Sequence, residues 1–198
     1  MRAGVAIVAG GEATRLPGKL ELPAGDLPLV LRVLRNVQPG RETVIACKAT
    51  FSPALDAQLD VPLVIDRWTR RGPLGGLLSA LGALRSERVF ALAGDAPYVD
   101  GALLERLEAA WVTSDEAVVP VRGSAGAEQL EPLCALYDRK AVLREGFAVL
   151  HSEGGSLHAL IRRLRTRFLP VDETLVFDNI NTASHYAELR ANLARRPQ

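Results

Sequence analysis

Two adjacent glycines, Gly10 and Gly11, follow the short apolar run Val5-Ala6-Ile7-Val8-Ala9, and two cations, Arg15 and Lys19, come soon after. Without a Cβ, the glycines let the backbone turn sharply and bring amide N–H groups against a ligand. Arg15 and Lys19 stand where phosphate oxygens would need neutralising. Together they describe phosphate handling at the carboxyl end of a first strand, where open α/β sheets bind ligands. A plain strand-to-loop turn with two surface cations fits the same residues. Two familiar loops are excluded. Six residues separate Gly11 from Gly18, where a Walker A loop has four, and Leu20 follows Lys19 in place of a magnesium-binding hydroxyl. The dinucleotide fingerprint G-x-G-x-x-G is also absent from this turn.

Other polar groups recur where strands should end: Asp66, Asp95, and the pair Asn179 and Asn181 before the last helix. In a parallel sheet the glycine loop, Asp66 and Asp95 share one rim. Asp95 follows a wholly apolar strand and precedes Ala96-Pro97, so its carboxylate can hold Mg²⁺ against phosphate or simply close a turn. Gly72-Pro73-Leu74-Gly75-Gly76 is either a second ligand loop or a tightly packed helix start. The basic stretch with Arg67, Arg70 and Arg71 is either an anion site or a solvated loop.

The elements that must position these groups alternate. Strands are expected at Val5–Ala9, Thr43–Cys47, Leu63–Asp66, Val89–Ala93 and Ala117–Val121, with extended chain at Glu131–Tyr137 and Phe168–Val171. Helices are expected from Leu27 to about Val37 with Asp26 as N-cap, from Pro53 behind Ser52, and from the Gly72–Gly76 stretch to about Leu84. Others run from Asp100 to Trp111, near Lys140–Leu150 and Ser156–Leu164, and from Ser184 to Leu193. The early alternation predicts right-handed βαβ units and a mostly parallel sheet, and the later strands an antiparallel or mixed addition. One α/β domain over 1–198 is expected, with Lys19 exposed in its loop.

The 198 residues can bury a substantial core. A net charge of +1 offers no field for nucleic acid or an anionic membrane. No apolar run reaches the roughly 20 residues of a bilayer span. The first strand begins so early that a signal peptide is not expected, and a cytoplasmic location is. Cys47 and Cys134 sit in apolar runs and read as buried thiols. His151, His158 and His185 show no zinc spacing.

Taken in order, Ala9-Gly10-Gly11…Arg15…Lys19, Gly72-Pro73-Leu74-Gly75-Gly76, Gly94-Asp95-Ala96-Pro97, Glu131-Pro132-Leu133…Ala135-Leu136-Tyr137 and Asn179-Ile180-Asn181-Thr182 resemble the MobA-like nucleotidyltransferases. The likeness is closest to the molybdenum cofactor guanylyltransferases and covers nearly the whole chain. It implies a GT-A-like, Rossmann-related fold and transfer of GMP from GTP, with Mg²⁺, to molybdopterin. Molybdoenzyme apoproteins or their chaperones are implied as further partners. By the same likeness, Val8, Ala9, Gly10 and Gly11 hold the nucleotide through backbone groups, and Lys19 and Arg15 act on the triphosphate. Asp66 lies on the nucleoside side, Asp95 and Asn181 hold the metal, and Gly75, Gly76, Arg67, Arg71, Asn179 and Asn181 face the acceptor.

Two departures from the family pattern stand out. Leu16-Pro17-Gly18 is one residue shorter than the usual run before the lysine and lacks its aspartate. Strand two ends in Ala46-Cys47 where members offer an asparagine. These admit CTP or another nucleotide, a sugar-phosphate acceptor, or a nucleotide-binding accessory protein without turnover.

Overall fold

The computed structural model describes residues 2–10, 15–37, 39–68, 71–123, 128–152 and 155–195. Along them run β1 (Gly4–Val8), a 3₁₀ turn (Lys19–Glu21), β2 (Pro23–Ala24), β3 (Leu27–Pro28), α1 (Leu29–Val37), β4 (Thr43–Cys47), α2 (Pro53–Asp56), β5 (Leu63–Ile65) and α3 (Gly72–Ala83). There follow β6 (Arg88–Ala93), α4 (Gly101–Ala110), β7 (Ala117–Arg122), β8 (Gln129–Leu130), β9 (Cys134–Asp138), α5 (Arg139–Ser152), α6 (Leu157–Arg163), β10 (Thr166–Pro170), a second 3₁₀ turn (Thr174–Phe177) and α7 (Ala183–Arg195).

Eight of these strands form one sheet in the order β10-β7-β9-β6-β1-β4-β5, with β8 paired to β7. β6, β1, β4 and β5 are mutually parallel, and β10 is parallel to β7. β9 runs antiparallel to both β6 and β7. The expected mostly parallel sheet with a late antiparallel addition is what forms.

Successive residues of a strand face opposite sides, and here both sides are covered. In β1, Ala6 and Val8 pack in the layer of α3, α5 and α6, whereas Val5 and Ile7 pack in the layer of α1 and α4. β6 divides likewise: Val89 and Ala91 face the first layer, Phe90 and Leu92 the second. That explains why β1, β4 and β6 read as continuous apolar runs. α3 is apolar on almost every side because it lies between the sheet and α5; Leu74 through Leu81 are all buried.

One expected helix start is corrected. Leu27-Pro28 pairs antiparallel with Pro23-Ala24, and α1 begins only at Leu29. The backbone reverses at Gly25 (φ 76°), and Asp26 ion-pairs with Arg32 at 3.0 Å in place of capping the helix. Asp100 does cap α4, accepting from the Leu103 N–H at 3.1 Å.

At the amino end of the sheet, Arg41 donates to Glu108 through both terminal nitrogens, at 3.1 and 2.8 Å, and also to the Ala3 carbonyl. The Ala3 N–H returns to Glu108 at 3.2 Å. This cluster ties α4 to the chain entering β1 and β4. The Arg41 hydrogen bonds hold the Glu108 carboxyl below its ordinary 4.5, against the opposing effect of burial. A depressed carboxyl adds stability above that value and loses it as pH falls through and below it. Glu108→Gln should therefore destabilise the protein at pH 7 by about 1.5–3 kcal/mol, the range for hydrogen bonds to charged groups. In urea titrations the gap from wild type should close as pH drops below 4.5; a gap independent of pH would contradict this.

Candidate functional site

The order of the strands locates the cleft. From β1 the chain moves outward through β4 to β5, then α3 carries it back to β6 on the other side of β1. At such a switch point open α/β sheets bind ligands in a crevice outside the carboxyl ends of the two adjacent strands. Here those ends are Val8 and Ala93, in register with each other. The Gly94 N–H donates to the Val8 carbonyl at 3.0 Å. A Cβ on Gly94 would lie 3.2 Å from the Ala9 Cβ, so glycine permits the two loops to approach this closely. Above them opens a cleft of about 570 Å³, lined among others by Val8, Ala9, Gly10, Lys19, Asp95 and Asn181.

Three groups distant in sequence converge there. The Lys19 ammonium donates to Asp95 Oδ2 and, at 2.7 Å, to Asn181 Oδ1. The Lys19 and Asp95 side chains are 10% and 15% exposed. Lys19 was expected to project into solvent, and the structure corrects this. Gly18, at φ 67°, turns the chain into the 3₁₀ turn, whose first residue is Lys19 and whose side chain then points into the cleft. A Cβ on Gly18 would meet nothing within 4 Å, so the glycine is needed for conformation alone. Asn181 is held by backbone: the Ile180 N–H donates to the Asp95 carbonyl at 2.9 Å. Ile180 itself is buried with Ala24, Leu29 and Leu189.

The model of the MobA-like NTP transferase domain matches residues 5–171. The chain belongs to that family. A molybdenum cofactor guanylyltransferase of Burkholderia ambifaria is 33% identical over 199 residues, spanning 96% of this chain and 94% of the relative. One of Cupriavidus metallidurans is 28% identical over 194 residues, spanning 93% and 95%. Among solved structures, molybdopterin-guanine dinucleotide biosynthesis protein A of Archaeoglobus fulgidus superposes with a TM-score of 0.79 at 23% identity, over 98% of this chain and 100% of that one. The 2-C-methyl-D-erythritol 4-phosphate cytidylyltransferase of Thermus thermophilus superposes at 0.73 with 16% identity, over 98% and 100%. These two likenesses are of fold.

The MobA-like domain gathers some of the other residues singled out in the sequence and disperses the rest. Asn179 lines the cleft with Asn181, and Gly11 lies outside the described residues. Arg15, Arg67 and Arg71 are exposed and do not line the cleft. Gly75 and Gly76 are buried within α3, so the glycine-rich stretch is a helix start, and only its Gly72 and Pro73 border the cleft. A Cβ on Gly75 would come 2.7 Å from the Trp68 carbonyl oxygen, and one on Gly76 3.0 Å from Val8 Cγ1. Glycine there lets the helix press against β1 and the turn after β5.

Asp66 is 4% exposed and sits beneath that contact. Its Oδ1 accepts from the Trp68 N–H at 2.7 Å and the Ser79 hydroxyl at 3.3 Å. The place of a Cβ on Gly10, like that of one on Gly76, lies 3.8 Å from Oδ2, so the second oxygen faces the floor of the cleft.

Three features escaped the sequence reading. Lys48, directly after the Ala46-Cys47 pair, lines the cleft, with its Cγ 3.5 Å from where a Gly10 Cβ would be. A lone lysine just past an apolar strand was the available signal. Arg122 bridges Glu131 at 2.6 Å and Asp178 at 3.7 Å, joining the β7–β9 region to the segment that carries Asn179 and Asn181. The Arg122–Glu131 contact is an ion pair without hydrogen-bond alignment. Burial pushes the Glu131 carboxyl above its ordinary value, partly offset by Arg122. Finally, a second cavity of about 370 Å³, lined by Arg122, Gln129, Asp178 and His185 among others, shares Asn179 and Asn181 with the first. Cys47 and Cys134 are buried free thiols, and burial raises both above their ordinary range.

Asp66→Ala should leave the Trp68 N–H without its acceptor, while the Ser79 hydroxyl keeps the Gly75 carbonyl at 3.0 Å, and destabilise the domain by about 1–3 kcal/mol in denaturant titrations. Unchanged stability with lost nucleotide affinity would instead make Asp66 a ligand residue alone.

Proposed function

We propose that this chain is a nucleotidyltransferase that transfers GMP from GTP to the phosphate of molybdopterin and releases pyrophosphate. Support comes from guanylyltransferase relatives matched over nearly the whole chain, together with the Lys19, Asp95 and Asn181 cluster at the switch point.

In this reading an oxygen of the acceptor phosphate forms a bond to the α-phosphorus while the bond from that phosphorus to the β-phosphate bridging oxygen breaks. Little covalent chemistry is left to the protein, so its work is alignment and charge neutralisation. Val8, Ala9 and Gly10 present backbone to the nucleotide. Lys19 donates to triphosphate oxygens and stabilises charge as pyrophosphate departs. Arg15, exposed and outside the cleft lining, adds a cation four residues before Lys19. Asp66 supports Gly10 from below, and Lys48 faces the same nucleotide.

The divalent ion proposed is Mg²⁺, and the donor set fits one. A carboxylate oxygen of Asp95 and an amide oxygen of Asn181 already converge on a single cation, the Lys19 ammonium. Both are hard oxygen ligands, and Mg²⁺ commonly takes only one or two such protein groups beside phosphate and water. When bound, it would neutralise charge on the phosphate oxygens. Asn179 and Asn181 border both cavities, which supports entry of the acceptor from the smaller one. Molybdoenzyme apoproteins or their chaperones are the proposed recipients of the product. Among the described residues no helix is long and apolar enough to cross a membrane.

A second reading, cytidylyl transfer, draws on one observation: Lys48 lines the cleft just beyond the point where the family's asparagine is missing. Thermal shifts with GTP, CTP, ATP and UTP in the presence of Mg²⁺ separate the readings. A nucleotide at 100 times its Kd stabilises the folded state by about 2.7 kcal/mol. GTP should give the largest shift; a clear CTP preference would overturn the guanine assignment, and no shift with any nucleotide would overturn nucleotidyl transfer. Asp95→Asn should keep the fold, seen by circular dichroism, and lower pyrophosphate release by roughly 10²-fold or more.

A further inference from the structure

We propose that Lys19 is a placeholder cation: its ammonium closes the divalent-metal position until a nucleotide draws it away, so that metal enters with nucleotide and not before it. This rests on the nucleotidyl-transfer reading only for the identity of the nucleotide.

Asp95 Oδ2 and Asn181 Oδ1, the two oxygens suited to a divalent ion, both accept from the same Lys19 Nζ. A metal ion would need those oxygens at about 2.0–2.1 Å. An ammonium and a dication cannot both occupy contact distance of one carboxylate oxygen and one amide oxygen, because they repel each other and the single Asp95 carboxylate offsets only one of their three positive charges. The pair is also shielded, with Lys19 and Asp95 side chains only 10% and 15% exposed, so water screens that repulsion poorly. Free metal must therefore displace the lysine with nothing to compensate it.

A triphosphate changes the balance. Lysine carries its charge on a flexible four-carbon stem, so the ammonium can turn without moving its backbone. Lys19 and Gly10 line the same cleft, so phosphate oxygens held at the glycine turn would share it with the lysine stem. A phosphate oxygen is a stronger partner for an ammonium than the neutral amide of Asn181. Once the ammonium moves, Asp95 and Asn181 need not rearrange, since the Ile180 N–H to Asp95 carbonyl bond keeps their segments together. The cation changes and the oxygens stay. Lys19 is then both a phosphate ligand and the residue that sets the order of binding.

Mn²⁺ tests this without turnover, through the loss of the free-ion electron paramagnetic resonance signal on titration with protein in the absence of nucleotide. Lys19→Met should bind Mn²⁺ about 5–150-fold more tightly than wild type, the usual span for coupled sites. Lys19→Gln serves as a second variant should the methionine form not fold, and Asp95→Asn placed in either background should abolish the gain. Equal Mn²⁺ affinity in wild type and the neutral variants would overturn the proposal. So would the absence of Mn²⁺ binding to any of them, because Asp95 and Asn181 would then form no cation site. Gating of Mn²⁺ in a protein that shows no guanylyl transfer would sink the functional reading and leave the placeholder intact. Guanylyl transfer with equal Mn²⁺ affinities would do the reverse.

Discussion

One backbone hydrogen bond, from the Ile180 N–H to the Asp95 carbonyl, holds the site together across the length of the chain. It fixes where the Asn179–Asn181 segment lies against the end of β6, and the burial of Ile180 and the Arg122–Asp178 contact support it. The bond is directional and shielded, since Ile180 is 2% exposed and packs with Leu29 and Leu189. Burial of that one side chain therefore sets the position of both asparagines that flank it. Asn181 points its amide oxygen at the Lys19 ammonium, and Asn179 is turned to the same cleft. A core contact and a polar constellation are thus secured by a single short segment.

The cleft itself comes from strand order. Because α3 returns the chain across β1, β1 and β6 lie side by side at the switch point, with the cleft at their carboxyl ends. That return needs α3 to lie close on the sheet. Gly75 and Gly76 remove the side chains that would otherwise strike Trp68 and Val8. Asp66 then ties the turn after β5 to Ser79 on the helix. Gly75 and Gly76, expected from the family likeness to face an acceptor, are in this arrangement part of the packing that lets the cleft exist.

In the cleft and beside the second cavity, a partly buried cation is set against an opposite or polar partner. Lys19 meets Asp95 and Asn181; Arg122 meets Glu131 and, more distantly, Asp178. The second group braces the segment leading to Asn179 and Asn181 through Asp178. Removing one member of such a pair leaves the other desolvated and unbalanced, which is why these residues carry position as well as charge.

Local physics was enough to make much of this molecule legible from sequence. The short apolar runs of β1, β4 and β6 suit strands buried on both faces, and Asp100 before an apolar periodic stretch suits a helix cap. The glycine turn after Val8 and the carboxylate after Ala93 followed from those strands. What sequence could not decide were the outcomes that depend on a partner far along the chain. Lys19 reads as an exposed loop cation until Asp95 and Asn181 are brought to it, and Asp26 reads as a cap until Pro23–Ala24 and Leu27–Pro28 pair and Arg32 claims it. Gly75 and Gly76 are ambiguous until Trp68 and Val8 are placed against them, and Lys48 is an ordinary lysine until β4 ends beside Gly10. Strand and helix formation depend on neighbours within a few residues, whereas burial and ion pairing depend on which distant side chains the folded sheet brings within hydrogen-bond range.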